Sequence, residues 1–368
     1  MRASHRTALF HCLLLLLLPV TPCVMLAQQG PPRPGTLELI AADPSRGFYW
    51  PYYLVVPDTV KSTTTLVLDP TDAPLAQNQS YRDFTPDATA AQRADYFGFE
   101  FFRELGTALV MPVLPHLPSE RLPNGDVFWV LHLDPDIFTV SDPSLYRIDL
   151  QIVAMIADAR ARLTTQGIQA AEKVFVDGIS SVGIFANRFS ILHPQLVQAV
   201  AIGAAGIHTM PLAQWQGRNL AYPLGTANLA ALAGTAFDAR RYRRMPQYVY
   251  VGVEDRNENA FLFDPDAAAV ARELFGADVP TRFASASAVF ASQGNDAVFT
   301  TYAGAGHELT AAMMNDIRAF FRAHATRPDE IAGVRKDGVA SDALFALGLT
   351  RDSGATWLGG ARVDGLHL

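Results

Sequence analysis

The strongest restriction this chain places on its own fold is an alternation running from Gly47 to Ala325. A short β-branched and aromatic run is followed by a stretch with helical apolar spacing, and then by another short run. Strands separated by a helix's length of chain pair in parallel, and their connections pack on the sheet faces. "GFYWPYYLVVP" (Gly47–Pro57) and "TTTLVLDP" (Thr63–Pro70) read as early strands. "AQRADYFGFEFFRELG" (Ala91–Gly106) has helical spacing and a terminal glycine, and "TALVMPVLP" (Thr107–Pro115) follows as a strand. "LQIVAMIADARARLTTQG" predicts a helix leading into the strand "KVFVDG". "LVQAVAIGAAG", "QYVYVGVED" and "AVFTTYAGAGHE" predict three more strands, and "LTAAMMNDIRAFFRAHA" a last helix. The expected class is α/β, a doubly wound, mostly parallel sheet flanked by helices, with its strand ends free to carry a site. Ile207 to Met245, rich in Trp, Tyr, Pro and Gly, breaks the alternation between two late strands. It is either a substrate-facing insertion or a long connection.

Residues 1–27 have a different character. Arg2 and Arg6 precede the apolar run "ALFHCLLLLLLPV", and small residues at Thr21, Cys23 and Ala27 come before the polar "QQGPPRPG". This pattern predicts an export signal and a secreted or periplasmic protein, with the membrane engaged only if the leader stays attached. Ala8 to Ala27 as a retained single span is the alternative, against which Pro19, Pro22 and His11 argue. Both cysteines, Cys12 and Cys23, lie in this leader, so a processed chain has no thiol for disulfides, catalysis or zinc. Losing Arg2 and Arg6 takes the formal charge from −7 to −9, which repels nucleic acid and anionic lipid. The sheet domain is expected over 28–328, and 329–368 form a tail.

"VFVDGISSVGIFANRF" (Val174–Phe189) passes from strand to helix through a glycine and two serines. A serine delivered on a sharp strand-to-helix turn is the physical content of the nucleophile elbow G-x-S-x-G. Counted from Ser180, Gly178 fills the first glycine position, while the second holds Val182, with Gly183 one residue late. Counted from Ser181 the flanks are Ile179 and Gly183, and Ile179 crowds the new helix where a glycine is wanted. Ser180 is therefore the expected nucleophile and Ser181 the alternative. The backbone N–H of Ser181, at the positive end of the helix, is an expected oxyanion donor.

A serine hydroxyl is a weak nucleophile until an imidazole takes its proton, and the imidazole needs a carboxylate to fix its tautomer. "VGVEDRNEN" places Glu254 and Asp255 just past one predicted strand, and "YAGAGHEL" places His307 just past the next. His307 is the expected base and Asp255 the orienting acid, with Glu254 as the alternative, since a slip of one residue exchanges the two. His193 reads as a helix-closing cation, and His116, His132, His208 and His324 as structural or solvent-facing. A second oxyanion donor is expected from the loop after "TTTLVLDP", at the N–H of Thr71 or Asp72. Phe48, Trp50, Trp129, Trp215 and Tyr222 are candidates for an apolar pocket, although such residues are more often core. No metal or cofactor is expected.

On "DGISSVG", "ILHPQLVQAVAIGAAG", "VGVEDRNEN" and "YAGAGHEL", the chain resembles the α/β-hydrolase superfamily over roughly 47–325. Within that superfamily it is similar to secreted esterases of the polyhydroxybutyrate depolymerase and feruloyl esterase kind. The resemblance implies hydrolysis of small or polymeric carboxylic esters through an acyl-enzyme, with Ser180, Asp255 and His307 at the matching positions. Val182 departs from the pattern, as does the lack of cysteine after the leader. A serine peptidase and a non-catalytic binding module are the alternative functions. In the tail, "TRDSGATW" (Thr350–Trp357) resembles a single Asp-box hairpin turn. One such hairpin is far short of a propeller.

Overall fold

In a computed structural model of the chain, the described residues are 35–74, 81, 84–116, 130–258, 265–325, 356–358 and 361–363. The leader, Trp129 and residues 329–355 of the tail lie outside them. Among the described residues a nine-stranded sheet forms the core of the fold. Strand β1 (Gly35–Ile40) pairs antiparallel with β2 (Tyr52–Pro57), and β2 pairs antiparallel with β6 (Leu109–His116). From β6 onward every pairing is parallel. The order runs through β4 (Val67–Leu68), β8 (Val174–Ile179), β9 (Val197–Gly203) and β12 (Gln247–Gly252) to β13 (Ala297–Tyr302) at the edge. Strand β5 (Thr71–Pro74) continues past β4 and pairs with β6 alone. Two minor pairs, β3 (Thr63–Thr64) with β7 (Gln169–Ala170) and β10 (Gln214–Trp215) with β11 (Arg218–Asn219), stand off the main sheet.

Burial along the strands explains their composition. Every residue of β2 and β12 is buried, as are nearly all of β8 and β9, which suits strands covered on both faces. Edge strands β1 and β13 are largely exposed or half-exposed instead, with Val298 at 56%. Helix α1 (Ala88–Tyr96) begins at Asp87, whose carboxylate accepts the Ala90 N–H, and α2 (Ile148–Thr165) follows later. Helix α3 (Ser181–Leu192) leaves the end of β8 directly and stops before Pro194, which cannot continue it. Between β12 and β13 the chain forms two helices that the sequence pattern did not predict, α6 (Pro265–Phe275) and α7 (Val279–Ser292). Thr310 caps α8 (Ala311–Ala323) by accepting the Met313 N–H at 3.3 Å. In the tail, β14 (Thr356–Leu358) pairs antiparallel with β15 (Ala361–Val363). Residues 350–355 of the Asp-box-like motif lie outside the described residues.

One expectation is corrected. Thr71 stands in a strand opposite Val113, not in a loop. The segment 207–245 carries helices α4 (Leu229–Ala233) and α5 (Ala239–Arg244). It buries Ile207, Met210, Leu220, Tyr222, Leu224, Leu229 and Tyr242 in the same core as the sheet. Phe48, Trp50 and Tyr222 are core residues at 0%, 2% and 4% exposure, as such residues more often are. His193 does close α3, and it is buried, with Nε2 2.9 Å from the Asp149 carboxylate.

His208 is buried beside the rings of Phe283, Phe290 and Phe299. Burial, reinforced by the Arg282 charge, pushes its pKa down from 6.5 to about 4. The folded state thus keeps this imidazole neutral where an unfolded chain would protonate it, so its contribution is full above the ordinary pKa and is lost as pH falls towards 4. Wild-type stability is expected to drop by about 2 kcal/mol more than that of His208→Leu between about pH 7 and about pH 4.5. Urea titrations of the two proteins at both pH values measure this difference.

Candidate active site

Three strands that end at the same rim supply the predicted residues. Ser180 follows β8 directly, Asp255 lies three residues past β12, and His307 lies five past β13. The imidazole joins the other two side chains. His307 Nε2 lies 2.8 Å from Ser180 Oγ, and His307 Nδ1 lies 2.9 Å from Asp255 Oδ2. Asp255 is 1% exposed, while Ser180 is half-buried and His307 exposed, so the array opens to solvent at its serine end. Glu254 is exposed, with its own N–H held by the Ala305 carbonyl, and is not the imidazole's partner.

Ser180 takes φ 61° and ψ −125°, a region that a residue with a side chain enters only under strain. Its N–H is tied to the Gly203 carbonyl at 2.9 Å, and its own carbonyl accepts the Ile184 N–H that starts the helix. Two glycines make so tight a turn possible. A Cβ at Gly178 would stand 2.4 Å from the Val182 carbonyl oxygen, and one at Gly183 would stand 2.2 Å from the Gly203 oxygen. Both collisions are with backbone, which cannot swing aside. This resolves the departure at Val182. The second glycine is needed where α3 presses on β9, and that position here is 183. Val182 is then free to be a buried side chain against Gly178.

The acid is aimed by its own loop. Asp255 Oδ1 accepts the Asn257 N–H at 2.9 Å, an Asx turn that leaves Oδ2 for the imidazole. Sequence reading missed this bond, although an aspartate followed by a polar turn is its ordinary signal. The loops carrying Asp255 and His307 are in turn stitched together, with Val253 N–H on Tyr302 O and Glu254 N–H on Ala305 O, both at 2.9 Å.

Ser181 opens α3, where the first N–H groups have no partner within the helix. It stands one residue past Ser180. Just before the elbow lies Asp177, with the buried Asp69 just past the end of the neighbouring strand β4 and Arg93 3.1 Å from the Asp69 carboxylate. Burial, and then the Asp69 charge, push the Asp177 carboxyl well above the usual carboxylate range, while Arg93 pulls the other way. Among the described residues no group of three His, Cys, Asp or Glu side chains could hold a metal ion. No helix among them is long and apolar enough to cross a membrane.

No protein family description matches the chain, and no curated protein does. Solved structures do. A poly(3-hydroxybutyrate) depolymerase from Bordetella parapertussis superposes with a TM-score of 0.51 at 16% identity, over 82% of this chain and 95% of that one. A poly(aspartic acid) hydrolase from Sphingomonas sp. KT-1 gives 0.49 at 16%, over 77% and 97%. An acetyl xylan esterase from Aspergillus awamori gives 0.42 at 14%, over 78% and 100%. The first of these likenesses, together with the strand order and the parallel pairing, establishes the fold.

Proposed function

We propose that this chain, which has the α/β-hydrolase fold, is a serine hydrolase cleaving carboxylic esters through an acyl-enzyme on Ser180. The observation carrying this reading is the continuous relay from Asp255 to His307 to Ser180, with contacts of 2.9 and 2.8 Å. The Ser180 Oγ–H bond breaks as Oγ attacks the ester carbonyl carbon, and His307 Nε2 takes the proton. Charge moves to the carbonyl oxygen, where the Ser181 N–H and the helix N-terminus stabilise it. Thr71 N–H, in its strand, is the proposed second donor. The tetrahedral species collapses as His307 returns the proton to the departing alkoxide. Water then repeats the sequence on the acyl-enzyme, releasing acid and free serine. The half-buried serine beside an exposed imidazole suits a substrate approaching from outside the sheet domain, and the leader's composition suits export.

A fluorophosphonate probe tests the reading on the folded protein. Stoichiometric labelling at Ser180, with turnover of short p-nitrophenyl esters exceeding that of amides of the same acyl group, is the expected result. A folded protein that takes no label and turns over neither class would be a binding module instead. Faster turnover of the amides would make it a peptidase.

A further inference from the structure

The relay depends on where Asp255 points, and Asp255 sits in a loop with nothing regular about it, residues 253–258. The first half of this loop is held by the histidine strand through the Val253 and Glu254 N–H groups. Its second half turns back over Asp255 and supplies the Asn257 N–H that fixes the carboxylate's orientation. Glu258, the next residue, is gripped by a side chain from elsewhere in the fold. Arg282, on α7, is 2% exposed and directs its guanidinium into this region. Its Nη2 lies 2.8 Å from both carboxylate oxygens of Glu258. Its Nε donates to the Gly206 carbonyl at 2.9 Å, just past β9, and its Nη1 to the Gly276 carbonyl at 3.3 Å. Arg272 reaches the same Glu258 carboxylate only at 4.0 Å and from a more exposed position.

Desolvating a guanidinium is expensive, and a pair so placed adds little to stability over apolar side chains of the same volume. What it does supply is direction. A planar fork spends donors on three different nitrogens on three separate segments of chain at once, a spread that a lysine's single nitrogen does not offer. One of those segments is the Asp255 loop, held at Glu258, three residues past Asp255 and next to Asn257. We propose that Arg282 is a positioning residue for Asp255: through Glu258 it holds Asn257 in place, and so keeps the Asp255 carboxylate turned towards His307. The inference rests on the reading of Asp255–His307–Ser180 as a catalytic relay, but the loop geometry can be measured without any substrate.

The probe is the proton on His307 Nδ1, whose short bond to a carboxylate shifts its resonance far downfield and whose assignment is checked with His307→Ala. Glu258→Ala breaks the clamp from its half-exposed side. Because it leaves a buried cation without its partner and threatens folding, the double variant Arg282→Met/Glu258→Leu removes both charges together. In the double variant, with circular dichroism and Tm near wild type, the resonance is expected to move upfield or broaden away. On the best ester kcat is expected to fall about tenfold to a hundredfold, with KM within about twofold. Glu258→Gln, which keeps an acceptor for Arg282, is expected to recover most of the loss. A folded double variant with an unmoved resonance and wild-type kcat overturns the proposal. If the wild type shows the resonance but no turnover, the hydrolase reading fails, while the shift in the double variant still decides the clamp.

Discussion

Ser180→Ala is expected to lower kcat on a short-chain ester by about 10⁴- to 10⁶-fold and to abolish fluorophosphonate labelling, while Ser181→Ala stays within about tenfold of wild type. The difference follows from what each residue contributes. Ser180 places its hydroxyl 2.8 Å from the imidazole, whereas Ser181 contributes a backbone N–H that survives truncation of its side chain. Residual turnover in Ser180→Ala comes from water attacking a carbonyl still polarised at the helix N-terminus. Alanine keeps the Cβ and so keeps the strain at φ 61°, and the variant should fold as the wild type does. Ser180→Gly should be equally inactive and about 1 kcal/mol more stable, because glycine occupies that backbone region freely. Such a pairing of lost activity with gained stability would mark strain maintained for function. Activity that survives in Ser180→Ala and vanishes in Ser181→Ala would move the nucleophile by one position and leave the observed relay without a purpose.

Periodicity and order along the chain made the scaffold readable. Strands β8, β9, β12 and β13 each announce themselves as short apolar runs, and their ends give the serine, acid and histidine in sequence. Local chemistry also favoured Ser180 over Ser181, since the crowding expected at Ile179 is of the kind that requires Gly178 to lack a Cβ. The rest depends on partners far along the chain. Nothing near Gly183 says that the Gly203 carbonyl will press on it, so the shifted glycine looked like a defect. Proline at 70 suggested a strand ending, yet Thr71–Pro74 continues as β5 because β6 offers it a ladder on one side only, where a missing N–H costs little. Helix α7 is rich in Ala and Ser and weakly patterned, and only its Asp278 cap, accepting the Thr281 N–H, and the first-turn Pro280 mark its start. Arg282 therefore carried no signal in the sequence, although a buried arginine is among the more telling features of the folded chain. His193 and Asp149 are another long-range pair: each side chain is unremarkable alone and explained by the other.

Choosing between adjacent carboxylates is the second large effect. Asp255→Asn is expected to cost about 10⁴-fold in kcat, against less than about twofold for Glu254→Gln. The size of the first effect has a specific cause in this loop. With asparagine at 255, the Asn257 N–H continues to demand an acceptor at the Oδ1 position, so the amide oxygen settles there. The amide NH₂ is then forced into the place of Oδ2, 2.9 Å from His307 Nδ1. That donor stabilises the imidazole tautomer protonated on Nε2, which presents a proton to Ser180 instead of a lone pair and cannot act as its base. The buried position of residue 255 keeps water from relieving the mismatch. Glu254, by contrast, is solvated and engaged only through its backbone, so neutralising it changes a rim charge and little else. Combining Asp255→Asn with a change at 257 that removes the N–H, Asn257→Pro, frees the amide to flip and should restore part of the lost rate if the loop still folds. Comparable losses in Asp255→Asn and Glu254→Gln, or full activity in the former, would show that the observed contact between Asp255 and His307 does not govern the tautomer.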